Sequence, residues 1–468
     1  MRPVELLILL AILPSLLLPI LSDGRRFGRR FEFPALALIL VIVHLVLEGY
    51  RWQMVPAYLL ALFLFIRGVW WVQRPPDLQG GRLGLIGSAL LLLLYALAVL
   101  LPLLFPVPDL PEPEGQFPVG TTVAHLVDRS RPEIYSVEPD DVREIMFQVW
   151  YPVAPHAVPL DSRRAPYLDR LEVAGPAVAT RLGLPPFLLD HVDGVRTHSI
   201  VGAAAAEGPF PLLIFSHGLR GLRGQNTVLM ETLASHGYIV ASIDHAYGNV
   251  LTVFPDERIV FYEQEMVFPE AMSRVEAGAR LVDVWAADVV AVVEEITAWH
   301  NTTGHTLSGR VAQGGIGTLG HSTGGGTAVE ACVLLAQCAG VVALDPWMEP
   351  VSREISADGY DRPLLIMRTP EWLGPDNVAA GMRLMENSDD ETYTLTIAGA
   401  GHFDFSDLPL LSPLLPYLGL SGSVESERVL AIINSYTVAF FDHTLKGAPA
   451  PAPGRTTPAY PEISFSHH

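Results

Sequence analysis

Four long apolar runs open the chain, roughly Val4–Leu21, Phe33–Leu47, Met54–Trp71 and Leu83–Phe105, and the pattern changes character after them. A helix needs about 20 apolar residues to cross a bilayer. Each run therefore predicts a membrane-spanning helix, the second extending through Gly49 and Tyr50 to gain length. No Asp, Glu or Lys sits in the middle of a run, so no ion or proton path is indicated, and His44 reads as a helix-packing residue. Further on, the runs shorten. "EIMFQVWYPV" (144–153) alternates apolar and polar positions, as a half-buried strand does. "PLLIFSHG" and "YIVASIDH" read as buried strands, with "TVLMETLASHG" as a helix between them. Residues 281–299 place Leu281, Trp285, Val289, Val292, Ile296 and Trp299 on one helical face. "GGIGTLG", "GVVALD", "PLLIMRTP" and "ETYTLTIAG" follow as further strands. Alternating βαβ units predict an α/β class fold, a mostly parallel sheet with helices on both faces.

These patterns divide the chain into a four-helix membrane anchor (1–107), a Pro-rich linker (108–125), an α/β domain (126–447) and an Ala/Pro-rich tail (448–468) expected to be disordered. Charge sharpens the division. Residues 1–107 hold nine arginines and five acids, leaving 21 basic and 45 acidic side chains beyond, a net of −24. So acidic a domain is a poor partner for nucleic acid or an anionic membrane surface. Arg25, Arg26, Arg29 and Arg30 follow the first run, and Arg74 and Arg82 the third. Positive loops stay in the cytoplasm, which predicts that the N-terminus and everything after Phe105 lie outside. A cleaved signal peptide is the alternative reading of the first run, but its leading charge is only Arg2, and cleavage would leave the four-arginine loop outside.

Candidate chemistry falls at strand ends. Ser322 follows "GIGTLGH", Asp345 closes "GVVALD", and His402 follows "TLTIAGAG". Ser, Asp, His is the chain order of the α/β-hydrolase triad. A serine hydroxyl needs a base within hydrogen-bond reach, a histidine can take and return its proton, and a carboxylate on the far ring nitrogen fixes the tautomer. In "GHSTG", Gly320 and Gly324 allow a tight strand-to-helix turn that exposes Ser322, with the Thr323 N–H at a helix N-terminus. The second oxyanion donor is expected from the turn after "LLIFSHG", at the Leu219 N–H. Asp361 and Asp376 are weaker rivals of Asp345, since neither ends a strand. His217 and His321 lie inside the turns and read as structural. His245 reads as a solvated loop histidine or a pocket-lining one.

"FSHGLRG", "LASHGYIVASIDH", "GHSTGGGTAV", "LDPWMEP" and "GHFDFSDL" together resemble the platelet-activating factor acetylhydrolases of the plasma and type II group, over about residues 140–447. The "LDPWMEP" stretch and the spacing of His402, Phe405 and Asp407 are the most specific parts. The resemblance implies Ser322 as nucleophile, Asp345 as acid, His402 as base, and the Leu219 and Thr323 N–H groups as oxyanion hole. It implies hydrolysis of short or oxidised acyl esters at the sn-2 position of phospholipids, with no metal or cofactor. Thr323 stands where the family usually has Phe, and the four-helix anchor is not a familiar part of the animal enzymes.

Two other classes remain open at this point: a polyester, cutinase-like or dienelactone-type esterase, which shares the "SHG" and "GHSxGGG" turns, and a catalytically silent interaction domain on a membrane anchor. Cys332 and Cys338 are either a disulfide, permitted outside the cytoplasm, or two buried thiols. The segment 247–270 is either a lid over the site or a surface excursion.

Overall fold

The computed structural model describes all residues except 22–31, 74–84, 159–161, 353–354, 356–359, 389, 451–459 and 468. The arginine-rich loops that carry the topology signal lie outside the described residues.

The first four helices are α1 (Pro3–Leu21), α2 (Glu32–Leu47), α3 (Val55–Val72) and α4 (Leu85–Leu104). They share an apolar core that includes Ile8, Ile12, Val41, Leu60, Leu64 and Ala98. Among the described residues, two helical stretches, Trp52–Trp70 and Ile86–Leu104, are long and apolar enough to cross a membrane; α1 and α2 have shorter apolar stretches, Pro3–Leu18 and Glu32–Leu47. At 1.5 Å per residue, 16 residues span only about 24 Å of a hydrocarbon core about 30 Å thick. The expected four spans therefore reduce to two that meet the length criterion. His44 is buried, as its packing role requires, and sits between the Tyr58 hydroxyl (3.1 Å) and Arg2 (3.4 Å). The bundle meets the α/β domain where Trp52 Nε1 donates to the Leu188 carbonyl (3.3 Å) and Ser412 Oγ to the Leu104 carbonyl (2.9 Å).

The rest of the chain runs β1 (Val119–Pro132), β2 (Val142–Pro152), β3 (Arg164–Pro166), α5 (Leu171–Arg181), β4 (Arg196–Val201), β5 (Phe210–Ser216), α6 (Thr227–Ser235) and β6 (Ile239–Asp244). It continues with β7 (Leu251–Val253), β8 (Ile259–Phe261), α7 (Gln264–Val267), α8 (Arg274–His300), β9 (Val311–His321), α9 (Thr323–Leu334) and β10 (Cys338–Leu344). Last come β11 (Leu364–Arg368), α10 (Pro375–Glu386), β12 (Thr392–Ile397), α11 (Ser426–Lys446) and β13 (Ile463–His467). Eleven strands form one sheet in the order β13-β12-β11-β10-β9-β5-β6-β2-β1-β4-β3. From β6 through β12 neighbours are parallel; β2 and β13 join antiparallel at either side. One face is covered by α8, α9 and α10, the other by α6 and α11, giving two apolar layers. This is the α/β-hydrolase arrangement.

Three expectations change. β1 begins at Val119, so 119–125 is strand rather than linker; its alternation "VGTTVAHL" pairs with β2 from Val119 opposite Pro152. β2 is buried on both faces instead of one, because Ile145, Phe147, Val149 and Tyr151 pack in the layer with α8 and Trp150 in the opposite layer with α6. The end of the tail expected to be disordered, Ile463–His467, is strand β13, whose Phe465 packs on Tyr393 and Tyr436 at the sheet edge; the Ala/Pro-rich part of that tail, 451–459, lies outside the described residues. Cys332 at the end of α9 and Cys338 at the start of β10 are joined in a disulfide.

The chain leaves β5 toward β6, then returns through α8 to place β9 on the other side of β5. The crevice at the carboxyl ends of β5 and β9 is therefore the topological switch point, where open α/β sheets build their sites.

Candidate active site

Ser322 is held in a conformation that side chains rarely adopt, φ 55° and ψ −120°, between the end of β9 and the start of α9. The turn closes because no side chain stands in it. A Cβ on Gly320 would lie 2.1 Å from the Gly324 carbonyl oxygen, and one on Gly324 2.1 Å from that of Ser216. Gly325 and Gly326 bring α9 against Pro346 and Trp347, within 2.6 and 2.5 Å of where a Cβ would be. The glycines thus press the helix onto the segment after Asp345, in addition to the sheet.

The three triad residues foreseen from sequence meet. The Ser322 hydroxyl reaches His402 Nε2 at 3.0 Å, and His402 Nδ1 reaches Asp345 Oδ2 at 2.6 Å. Asp345 is buried and, like Ser322, has a positive φ (40°). Its other oxygen accepts from the Thr369 N–H (2.7 Å) and Thr369 Oγ1 (3.0 Å). Sequence reasoning missed Thr369; the available signal was its place directly after strand β11, in "RTP". Asp361 and Asp376 take no part. Asp404 was missed too: it accepts from the Gly401 and Gly422 N–H groups (2.7 Å each) and fixes the turn that carries His402. Asp407 anchors that turn to α6, accepting from the Val228 N–H at 3.1 Å. Burial pushes the Asp407 carboxyl well above the usual range, with Glu231 close by adding to the effect.

His321 packs beside His402, ring centroids 4.6 Å apart. Burial holds His321 well below the ordinary histidine range, and His402 adds to this. It is neutral, donating from Nε2 to the His402 carbonyl (3.0 Å), and so puts no positive charge next to the triad imidazole.

Gly218, in the turn after β5, touches the serine: a Cβ there would lie 3.2 Å from Ser322 Cβ. The next N–H is that of Leu219. Among the described residues neither the Leu219 nor the Thr323 N–H has a hydrogen-bond partner, the state expected of amides waiting for an oxyanion.

His245 departs from the expected solvated loop position. It is fully buried, with Nδ1 2.9 Å from Asp288 Oδ2 and Nε2 3.1 Å from Ser216 Oγ. Ser216 at the end of β5 and Trp285 and Asp288 of helix α8 enclose it, a long-range fact that local pattern does not carry. The segment 247–270 forms the β7–β8 hairpin and α7. It lies against site elements: Phe268 packs on Trp347, Arg220 on the Tyr262 ring (4.5 Å), and Leu219 on the cluster of Tyr262, Val267 and Trp285. These contacts favour the lid reading over a free surface excursion.

Among the described residues, Glu5, His44 and Glu48 place ligand atoms within 4.8 Å of one another. Arg51 already donates to Glu5 at 2.6 Å, and Arg2 at 2.9 Å, so two guanidinium groups occupy the charge a cation would need.

Residues 179–259 and 287–448 match the family described as platelet-activating factor acetylhydrolase, isoform II. The platelet-activating factor acetylhydrolases of Bos taurus and Gallus gallus are 26% and 23% identical over 260 and 270 residues, 50% of this chain and 57% and 62% of theirs. The chain thus spans about three fifths of the length of these relatives. The solved structure of a ferulic acid esterase from Streptomyces cinnamoneus is 29% identical with a TM-score of 0.62, covering 77% of this chain and 99% of that one. Since the matched segments take in both the Ser322 turn and the His402 turn and make up more than half of the residues, the chain belongs to the platelet-activating factor acetylhydrolase family, isoform II type.

Proposed function

We propose that the protein is a membrane-anchored serine ester hydrolase that cleaves short acyl chains from phospholipid-like esters outside the cytoplasm. The observation that carries this reading is the continuous hydrogen-bonded chain Ser322–His402–Asp345 beside two unpartnered backbone amides. The Ser322 hydroxyl gives its proton to His402 Nε2 as its oxygen attacks the ester carbonyl carbon. The Leu219 and Thr323 N–H groups receive the negative oxygen of the tetrahedral intermediate. Its collapse breaks the ester C–O bond, and His402 passes the proton to the departing alcohol. Water, deprotonated by the same imidazole, then releases the acyl group from Ser322. Asp345 accepts from His402 Nδ1–H throughout, keeping Nε2 free to act as base.

The phospholipid-like substrate is carried over from the acetylhydrolase relatives. Residues 1–107 serve as the anchor, supported by two apolar helices of spanning length; Arg74 and Arg82 between those two helices favour, by the positive-inside rule, a cytoplasmic connection and hence a catalytic domain outside. A second reading, hydrolysis of an aryl or polymeric ester, is favoured by the ferulic acid esterase neighbour. Turnover of acetyl-phospholipid compared with feruloyl and polyester substrates separates the two. Ser322→Ala is expected to lower p-nitrophenyl acetate hydrolysis by about 10⁴-fold or more. Unchanged turnover overturns the proposal and leaves the silent interaction domain as the alternative.

A further inference from the structure

Behind the oxyanion turn lies a second group of hydrogen-bonded side chains that the proposed chemistry does not use. The geometry points to a positioning network in which Asp288, His245, Ser216 and His217 fix the plane of the Gly218–Leu219 peptide, and so the direction of its oxyanion-binding N–H. This inference rests on the ester-hydrolase reading and deepens it.

The connections run in one direction. Asp288 Oδ2 accepts from His245 Nδ1–H at 2.9 Å, which leaves His245 Nε2 to accept from the Ser216 hydroxyl at 3.1 Å. The His245 backbone N–H donates to His217 Nε2 at 3.2 Å. His217 must then carry its proton on Nδ1, which donates to the Gly218 carbonyl at 2.7 Å. The Gly221 N–H reaches the same carbonyl, also at 2.7 Å. A trans peptide points its N–H opposite to its C=O. Two donors on the Gly218 oxygen therefore turn the Leu219 N–H away from them, and that N–H is the one left unpartnered. Every ring in the network is locked. Trp285 stacks on His245 (4.3 Å between centroids, planes 6° apart) and meets His217 edge-on at 5.0 Å. Burial pushes His217 down to about 3, assisted by neighbouring His245, so its Nε2 stays an acceptor at working pH. The far side of the turn is tied as well: the Arg220 N–H donates to Gly248 O (2.9 Å) and the Val250 N–H to Gly221 O (3.2 Å).

Ser216, His245 and Asp288 repeat the connectivity of a catalytic triad, yet all three are buried, and Ser216 is the last residue of strand β5 with no glycine elbow to present it. They act through Leu219 and touch no substrate.

The test uses the full-length protein. His217→Leu removes the donor to Gly218 O; His217→Asn keeps a side-chain N–H at the same distance along the chain; Ser216→Ala is a mild change that spares the fold. Removing one oxyanion donor costs about 10²- to 10³-fold in kcat. For His217→Leu we expect a loss of about 10²-fold in kcat with KM within twofold, and a loss of affinity for a phenylboronic acid, a tetrahedral-adduct inhibitor, by the same factor. His217→Asn should recover at least tenfold of it, and Ser216→Ala should lose about tenfold. Amide hydrogen exchange across 217–221 should quicken in both His217→Leu and Ser216→Ala. Unchanged kcat in these two variants, or a kcat loss with unchanged boronate affinity, overturns the inference. If the wild-type protein hydrolyses no ester, it is the proposed function that fails, and equal exchange at 217–221 in wild type and His217→Leu then overturns the network by itself.

Discussion

The chain carries two Ser–His–Asp arrangements on neighbouring strands of one sheet, and they differ in what surrounds them. In the first, Ser322 sits on a strained turn, His402 has a quarter of its side chain exposed, and Asp345 is held by the neutral donors of Thr369. In the second, Ser216 is inside the sheet, His245 is sealed under Trp285, and Asp288 is paired with Arg143 through two bonds, 3.0 and 2.6 Å, and with Arg131 at 2.9 Å. The distances of the two chains are nearly the same. Of the two serines, Ser322 is partly exposed and Ser216 is buried, and of the two carboxylates only that of Asp345 keeps its charge uncommitted to a cation, as the proposed imidazolium requires. The connectivity of a triad is thus compatible with two jobs, and access and counter-charge separate them.

The sharpest way to break the comparison is covalent labelling. A fluorophosphonate probe added to the folded protein should modify Ser322 completely and Ser216 not at all, as read by peptide mass mapping. Label on Ser216 would erase the distinction. Next in size is the effect of the counter-charge. Burial opposes the charge on Asp288, but Arg143 and His245 hold the carboxyl well below the usual range. Arg143→Met leaves Asp288 and Glu133 buried with Arg131 as the remaining cation, and breaking such a pair costs about 3–5 kcal/mol. A fall in thermal stability of that order is expected; an unchanged Tm would show that Arg143 is not what balances Asp288.

A pH titration sharpens the contrast further. Burial lowers His217, to about 3, and lowers His245 and His321 also. Their folded values lie below the ordinary 6.5, so under that pH the unfolded chain binds more protons, and stability falls as pH falls from about 6.5 toward the folded values. Each histidine contributes a slope of up to about 1.4 kcal/mol per pH unit. Asp407 works the other way: its raised value makes stability fall as pH rises above about 4. Thermal unfolding between pH 7 and 5 should show Tm dropping with acid, and His217→Asn should flatten that slope by about one proton. An equal slope in the variant would mean that His217 is protonated in the folded state.

How much of this was legible in the sequence follows the same division. Ser322, Asp345 and His402 each announce themselves locally, since each ends a short apolar run and the glycines around Ser322 mark the turn. The strands of the parallel core were legible for the same reason: a strand buried on both faces is a continuous apolar run. The second arrangement was not. Asp288 reads as one polar position on helix α8, and His245 as the start of a loop; only the crossing of α8 behind β5 and β6 brings them together. β1 and β13 were masked by proline-rich neighbours although each has strand alternation of its own. Among the apolar runs, hydropathy located all four helices, and length limited two of them.

The smallest predicted effect concerns the carboxylate of the first arrangement. Thr369 gives Asp345 two donors, and its hydroxyl also accepts from the Trp372 N–H at 3.0 Å. Thr369→Val keeps the shape and the backbone donor and removes the hydroxyl. One hydrogen bond to a charged group is worth about 1.5–3 kcal/mol when a partner is lost, but the Thr369 N–H and His402 Nδ1–H remain on Asp345, so about 1 kcal/mol is a fair expectation. In rate this is about fivefold in kcat, with KM unchanged because the hydroxyl lies behind Asp345, away from the serine. A loss comparable to that of Ser322→Ala would mean that the Asp345 carboxylate depends on Thr369 as Asp288 depends on Arg143, and the contrast between a neutral and a cationic setting would no longer explain why only one of the two serines is proposed as a nucleophile.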